Sequence, residues 1–131
     1  MELTKTCIAT EKAPKAIGPY SQAIRLGDLL FCSGQIPLDP QSGNVVGATI
    51  EEQTERVLHN IQGVLSSQGL TLAHVAKTTV FLKDMGEFTR FNEIYGKYFT
   101  APFPARSTVE VARLPKDVKV EIEVLAYFSR A

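Results

Sequence analysis

Two kinds of apolar spacing divide this chain. In Arg106-Ser107-Thr108-Val109-Glu110-Val111 and in Val118-Lys119-Val120-Glu121-Ile122-Glu123-Val124, apolar and polar positions alternate. Period two marks a half-buried strand, apolar on one face and free to carry charge on the other. The free face of the first strand is expected to carry Arg106, Thr108 and Glu110, and that of the second Lys119, Glu121 and Glu123. Lys77 to Lys83, rich in β-branched residues, reads as another strand. Ser21 to Leu26 and Leu29 to Ser33 flank the turn dipeptide Gly27-Asp28, which predicts a hairpin. Pro37 to Asn44 is dense in turn formers and reads as a loop.

The second spacing is helical. Val57, Leu58, Ile61, Val64 and Leu65 follow the 3.6 period. Thr49 and Glu52 ahead of them form a capping box, each side chain satisfying an orphan amide of the first turn. Gly69 suits the left-handed residue that closes a helix. A second helix is expected to open the same way, with Asp84 as N-cap and Glu87 three residues on. Its stripe is aromatic (Phe88, Phe91, Tyr95 and Phe99, with Tyr98 beside it) and is assigned to the core. Asn92, four residues after Phe88, sits at the stripe's edge. Burying its amide unpaired would cost roughly 1–3 kcal/mol, so it needs a partner. Pro102 and Pro104 stop the helix.

The expected order is three strands, helix, strand, helix, two strands. Two helices on one face of a mixed sheet make an α+β layer fold. The other face must be solvated or covered by another subunit. Leu125 and Tyr127 are expected to lie there with Glu121 and Glu123, and apolar residues among those charges favour an oligomer.

Residues 1–131 are expected to form one domain. The 14 basic and 14 acidic residues balance, so no steering toward nucleic acid or an anionic membrane follows. No run approaches the ~20 apolar residues of a membrane span. Cys7 and Cys32 have no metal-ligand spacing, and Cys32 in Leu29-Leu30-Phe31-Cys32 reads as a buried, inert thiol. A reducing, cytoplasmic setting is expected. His59 and His74 have no ligand partners at a suitable spacing and are assigned to structure, so no metal site is expected. No Walker loop, dinucleotide fingerprint or hydrolase triad signature is present. The expected site is free of metal and cofactor.

Arg106 follows Pro104-Ala105, so its planar fork enters the sheet from a fixed backbone, suited to a carboxylate or to a salt bridge. Glu121 and Glu123, alternate residues on one face, raise one another's proton affinity and suit proton transfer, or simply face solvent. Gly34, in Ser33-Gly34-Gln35, lets a ligand approach the backbone closely or merely ends a strand. Tyr20, after Gly18-Pro19, is a pocket wall with a hydroxyl or a packing residue. On this reading Arg106 and Glu121 share one sheet face.

Several ordered stretches resemble the RidA (YjgF) family of reactive-intermediate deaminases. They are Ala16-Ile17-Gly18-Pro19-Tyr20-Ser21-Gln22, Ser33-Gly34-Gln35-Ile36-Pro37 and Lys77-Thr78-Thr79-Val80-Phe81-Leu82-Lys83-Asp84. Phe91-Asn92, Phe103-Pro104-Ala105-Arg106-Ser107, Val109 to Pro115 and Val120 to Glu123 continue the match over nearly the whole length. The resemblance implies a chorismate-mutase-like α+β fold and a homotrimer with active sites between subunits. It implies hydrolysis of imines and enamines such as 2-iminobutanoate and 2-iminopropanoate to 2-keto acid and ammonia. By the same resemblance Arg106 clamps the substrate carboxylate and Glu121 handles the water. Tyr20, Ser33, Gly34 and Asn92 line or support the cleft, and the Thr108 amide binds ligand where relatives often have cysteine. The alternatives are a non-catalytic trimer that binds keto acids and regulates a partner, and a deaminase of another imine or aminoacrylate. An RNA-acting role fits poorly with the balanced charge.

Overall fold

The computed structural model describes residues 3–129. Strand β1 spans Thr6–Ile8, β2 Ala23–Leu26 and β3 Leu29–Gln35, followed by helix α1 at Ile50–Ser66. Strand β4 at Val75–Leu82, helix α2 at Phe88–Tyr98, β5 at Ala105–Glu110 and β6 at Val120–Tyr127 complete the order. The order is the expected one.

The sheet runs β1-β2-β3-β6-β4-β5, with β4 and β5 parallel and the other neighbours antiparallel. Leu26 pairs with Leu29 around Gly27, whose φ of +60° explains the tight hairpin turn. α1 opens on the reciprocal Thr49–Glu52 capping box. At its end Gly69 has φ +73°, and the Leu70 amide donates back to the Leu65 carbonyl.

α2 departs from the expected opening. Asp84 accepts from the Gly86 amide and caps a short 3₁₀ turn, Met85–Glu87. The α-helix starts only at Phe88, without a side-chain cap. Glu87 does not reach back to close a box; its carboxylate lies 3.4 Å from Lys119 Nζ and 3.9 Å from Arg90.

One hydrophobic core lies between the helices and the sheet. Val57, Leu58, Ile61, Val64 and Leu65 of α1 meet Phe91, Tyr95 and Phe99 of α2 there. Val80, Leu82, Val120, Ile122, Val124 and Ala126 close it from below. The opposite face carries Leu29, Phe31, Val109 and Tyr127, all substantially exposed. Leu125 and Tyr127 do share that side with Glu121 and Glu123 along β6, where burial alternates.

The placement of β5 corrects the expected faces. Thr78 pairs with Arg106 and Val80 with Thr108, while Phe81 of β4 pairs with both Val109 and Glu121. Paired residues point to the same side and neighbours alternate. Arg106 and Thr108 therefore face the helix layer, and Glu121 faces the uncovered side. The two residues lie on opposite faces of the sheet. β5 is an edge strand with no exclusively apolar face, and α2 offers it an aromatic shelf with an amide where the core would otherwise continue.

Candidate active site

The site residues fall into two clusters. The first is built by α2 against the sheet edge. Asn92 is exposed rather than buried at the stripe's edge, so water could serve its amide; its Oδ1 nonetheless accepts from Arg106 Nη1 at 2.7 Å. The guanidinium carbon lies 4.8 Å from the Tyr95 ring centre and 5.4 Å from that of Phe88. Residues 88, 92 and 95 share one helix face, so about two turns of α2 hold one arginine. Asn92, Tyr95, Gly96, Phe103, Pro104 and Arg106 line an open pocket of about 430 Å³. Thr108 is two residues along the same face of β5; its Oγ1 is buried and has no hydrogen-bond partner among the described residues. The cluster offers a held cation with unused N–H donors, an aromatic wall and a spare hydroxyl.

The second cluster lies on the uncovered face. Glu121 is half-buried and has no hydrogen-bond or ion-pair partner among the described residues. Burial raises its pKa above the ordinary glutamate value, and the negative charge of Glu123 adds to the effect. Its carboxylate lies over Gly34, where the β3–β6 register shifts. A Cβ on residue 34 would fall on Glu121 Oε2. Glycine is therefore what leaves room for this carboxylate, and the close approach expected at Gly34 is made by a side chain of the same chain. Ser33 Oγ donates to the Ser21 carbonyl at 2.6 Å, and its amide donates to the Gln22 carbonyl at 3.0 Å. These bonds tie β3 to the segment that presents Tyr20. Tyr20 is 54% exposed, and its hydroxyl accepts from the Ile17 amide at 3.4 Å. Buried Gln22 holds the preceding chain by donating to the carbonyls of Thr10, Ala13 and Pro14 and accepting from the Thr10 amide.

The structure thus joins Arg106 with Asn92, and Glu121 with Gly34. It separates the two pairs. Tyr95 and Phe103 were not among the expected site residues. Tyr95 was read as core, although its buried hydroxyl is a polar group that has to be satisfied.

The remaining chemistry-bearing residues are occupied elsewhere. Burial pushes the Cys32 thiol up to about 12, which keeps it protonated and inert. His74 Nδ1 accepts from the Thr71 amide in a local cap, and His59 Nε2 lies 2.9 Å from the Tyr98 hydroxyl. Among the described residues no three His, Cys, Asp or Glu side chains converge as metal ligands. No helix among them is long and apolar enough to cross a membrane.

Fold and pocket together define an α+β protein with an open pocket edged by an arginine held between an amide and two aromatic rings. The family model described as Endoribonuclease L-PSP matches residues 10–128, and the chain belongs to this family, that of the RidA and YjgF proteins. A RutC family protein of Pyrococcus abyssi is 53% identical over 125 residues, covering 95% of this chain and 98% of its own. Reactive Intermediate Deaminase A, chloroplastic, of Arabidopsis thaliana is 50% identical over 122 residues, covering 93% of this chain and 65% of its own. The crystal structure of E. coli TdcF with bound serine superposes with a TM-score of 0.90 at 44% identity, covering 95% of this chain and 99% of its own.

Proposed function

We propose that this chain hydrolyses reactive 2-imino acids and their enamines, 2-iminobutanoate and 2-iminopropanoate among them, to 2-keto acid and ammonia. The observation that carries the reading is Glu121, a half-buried, unpartnered carboxylate with raised proton affinity above a glycine. Such a group suits general acid–base chemistry near neutral pH. The kinship with a reactive intermediate deaminase supports the same reaction.

Opposite faces of one sheet cannot serve one small molecule. We therefore infer that the working site forms between copies, as a homotrimer with three clefts would provide. One copy contributes Arg106, Asn92 and Thr108; its neighbour contributes Tyr20, Ser33, Gly34 and Glu121. The exposed apolar residues of the uncovered face are the surface such an assembly buries.

The steps follow from these roles. The substrate carboxylate docks on the Arg106 fork, and Thr108 adds a donor. This sets the C=N carbon beside a water held by Glu121. Glu121 takes a proton as the water oxygen bonds to carbon, and the C=N electron pair moves to nitrogen. Glu121 returns that proton to the nitrogen, giving the carbinolamine; it then takes the hydroxyl proton and passes it to the same nitrogen, the oxygen electron pair closes the C=O as the C–N bond breaks, and ammonia and the 2-keto acid leave. Activated imines hydrolyse unaided, so orientation plus a general acid–base contribution of ~10²–10⁴-fold suffices. The scheme uses no metal or cofactor. Cys7 and Cys32 are both free thiols, which suits a reducing compartment such as the cytoplasm.

A second reading is favoured by the serine bound in the TdcF crystal structure, an amino acid rather than an imine. On that reading the cleft is a metabolite sensor. A coupled assay separates the two. Threonine dehydratase generates the imine, and ammonia and 2-ketobutyrate release are followed with wild type, Arg106→Ala and Glu121→Ala. The deaminase reading expects acceleration by wild type and loss in both variants. Undiminished rates in Arg106→Ala sink the site assignment, and 2-ketobutyrate binding without acceleration selects the sensor.

A further inference from the structure

Thr78 is fully buried in β4 and pairs in register with Arg106. Its hydroxyl lies 2.8 Å from that of Tyr95, which is itself only 5% exposed. Valine and phenylalanine at these positions would fill the same core without burying two hydroxyls. The pair therefore calls for a use. The Tyr95 ring lies beneath the Arg106 guanidinium, whose charge is close enough to act on the Tyr95 hydroxyl. Burial outweighs that influence and keeps the phenol protonated, a neutral group that both donates and accepts. An arginine fork recognises a carboxylate well only when its plane is held, because both parallel N–H bonds must form together. Asn92 fixes one nitrogen but leaves rotation about that contact.

We propose that Tyr95, anchored through Thr78, is a positioning residue for Arg106: ring and hydroxyl fix the guanidinium plane so that its free N–H edge faces the incoming carboxylate. The inference rests on the reading of Arg106 as a carboxylate anchor, and its test separates the two. Full-length Tyr95→Phe, Thr78→Val, their double variant and Thr78→Ser are compared with wild type. Tyr95→Phe keeps the ring in the core, so thermal midpoints are expected to stay within a few degrees.

The first readout needs no ligand: the hydrogen-exchange rate of the Arg106 side-chain N–H groups by NMR. Exchange is expected to quicken several-fold in Tyr95→Phe and Thr78→Val, no further in the double variant, and to stay near wild type in Thr78→Ser. The second readout is 2-ketobutyrate binding, where Kd is expected to rise about three- to tenfold. The imine KM rises alongside it while kcat changes less than twofold. Wild-type exchange in Tyr95→Phe, or quickened exchange with wild-type affinity, overturns the proposal. Failure of wild type to bind 2-ketobutyrate, with the exchange result intact, strikes the carboxylate reading of Arg106 and leaves its positioning by Tyr95 standing.

Discussion

At the scale of single residues, Gly34 leaves the room that the Glu121 carboxylate occupies, and the proposed chemistry hangs on that contact. The Gly34 backbone does not have positive φ, so alanine fits it, and the clash falls on the movable end of a glutamate. Gly34→Ala is expected to push the carboxylate aside rather than unfold the chain. Imine hydrolysis should then drop ~10²-fold or more with little change in thermal midpoint, as activity and melting curves on one preparation would show. Glu123 makes a second prediction. Its charge raises the Glu121 pKa, so Glu123→Gln lowers it. Glu121 must be ionised to accept a proton from water. The acid limb of the kcat–pH profile therefore moves to lower pH in Glu123→Gln, and an unmoved limb detaches Glu121 from that limb. Arg106 and Glu121 stood out in the sequence as candidates, a planar cation after proline and one of two alternate carboxylates, and the family resemblance gave them their proposed roles. Their faces were not legible. Alternation says which residues lie together but not which side the helices cover, and β5 offered no purely apolar face to decide it.

Secondary elements show the same division between local and tertiary signals. The Thr49–Glu52 box predicted the start of α1 because both of its hydrogen bonds are local, and both form. Thr49→Ala is expected to cost about 0.5–2 kcal/mol of unfolding free energy, read by urea denaturation. Asp84 and Glu87 have the same spacing but give a 3₁₀ turn, since Asp84 is taken by the Gly86 amide and Glu87 is drawn to Lys119. The Lys119 contact depends on β6, far along the chain, so no local pattern could reveal it. The aromatic stripe of α2 was legible as core, and Phe91 is fully buried. Phe91→Ala should cost about 3–5 kcal/mol. Tyr95 belongs to that stripe yet also serves Arg106, a double role visible only once β5 lies beside α2.

For the whole molecule, the sequence showed a sheet face that the helices leave uncovered and that mixes apolar residues with charges along β6, and the structure has that face. What the sequence could not reveal is that Arg106 and Glu121 point away from each other on opposite faces of the sheet. The proposed assembly turns this into a test by mixing. Arg106→Ala and Glu121→Ala chains, each inactive alone, are unfolded and refolded together in equal amounts. If each cleft draws on two copies, about a quarter of the clefts regain both side chains by random association. Recovery of that share of wild-type activity is expected, and a mixture as inactive as its parts rejects the shared cleft.

The glycine beneath Glu121 also makes residue 34 informative about chains other than this one. A side chain at that position displaces an extended carboxylate at residue 121, so the two sites constrain each other across the β3–β6 pair. In a related chain with the same backbone, alanine or serine at position 34 would signal that the acid has moved, shortened or been lost. One small residue can thus sort such chains by chemistry before any assay is run.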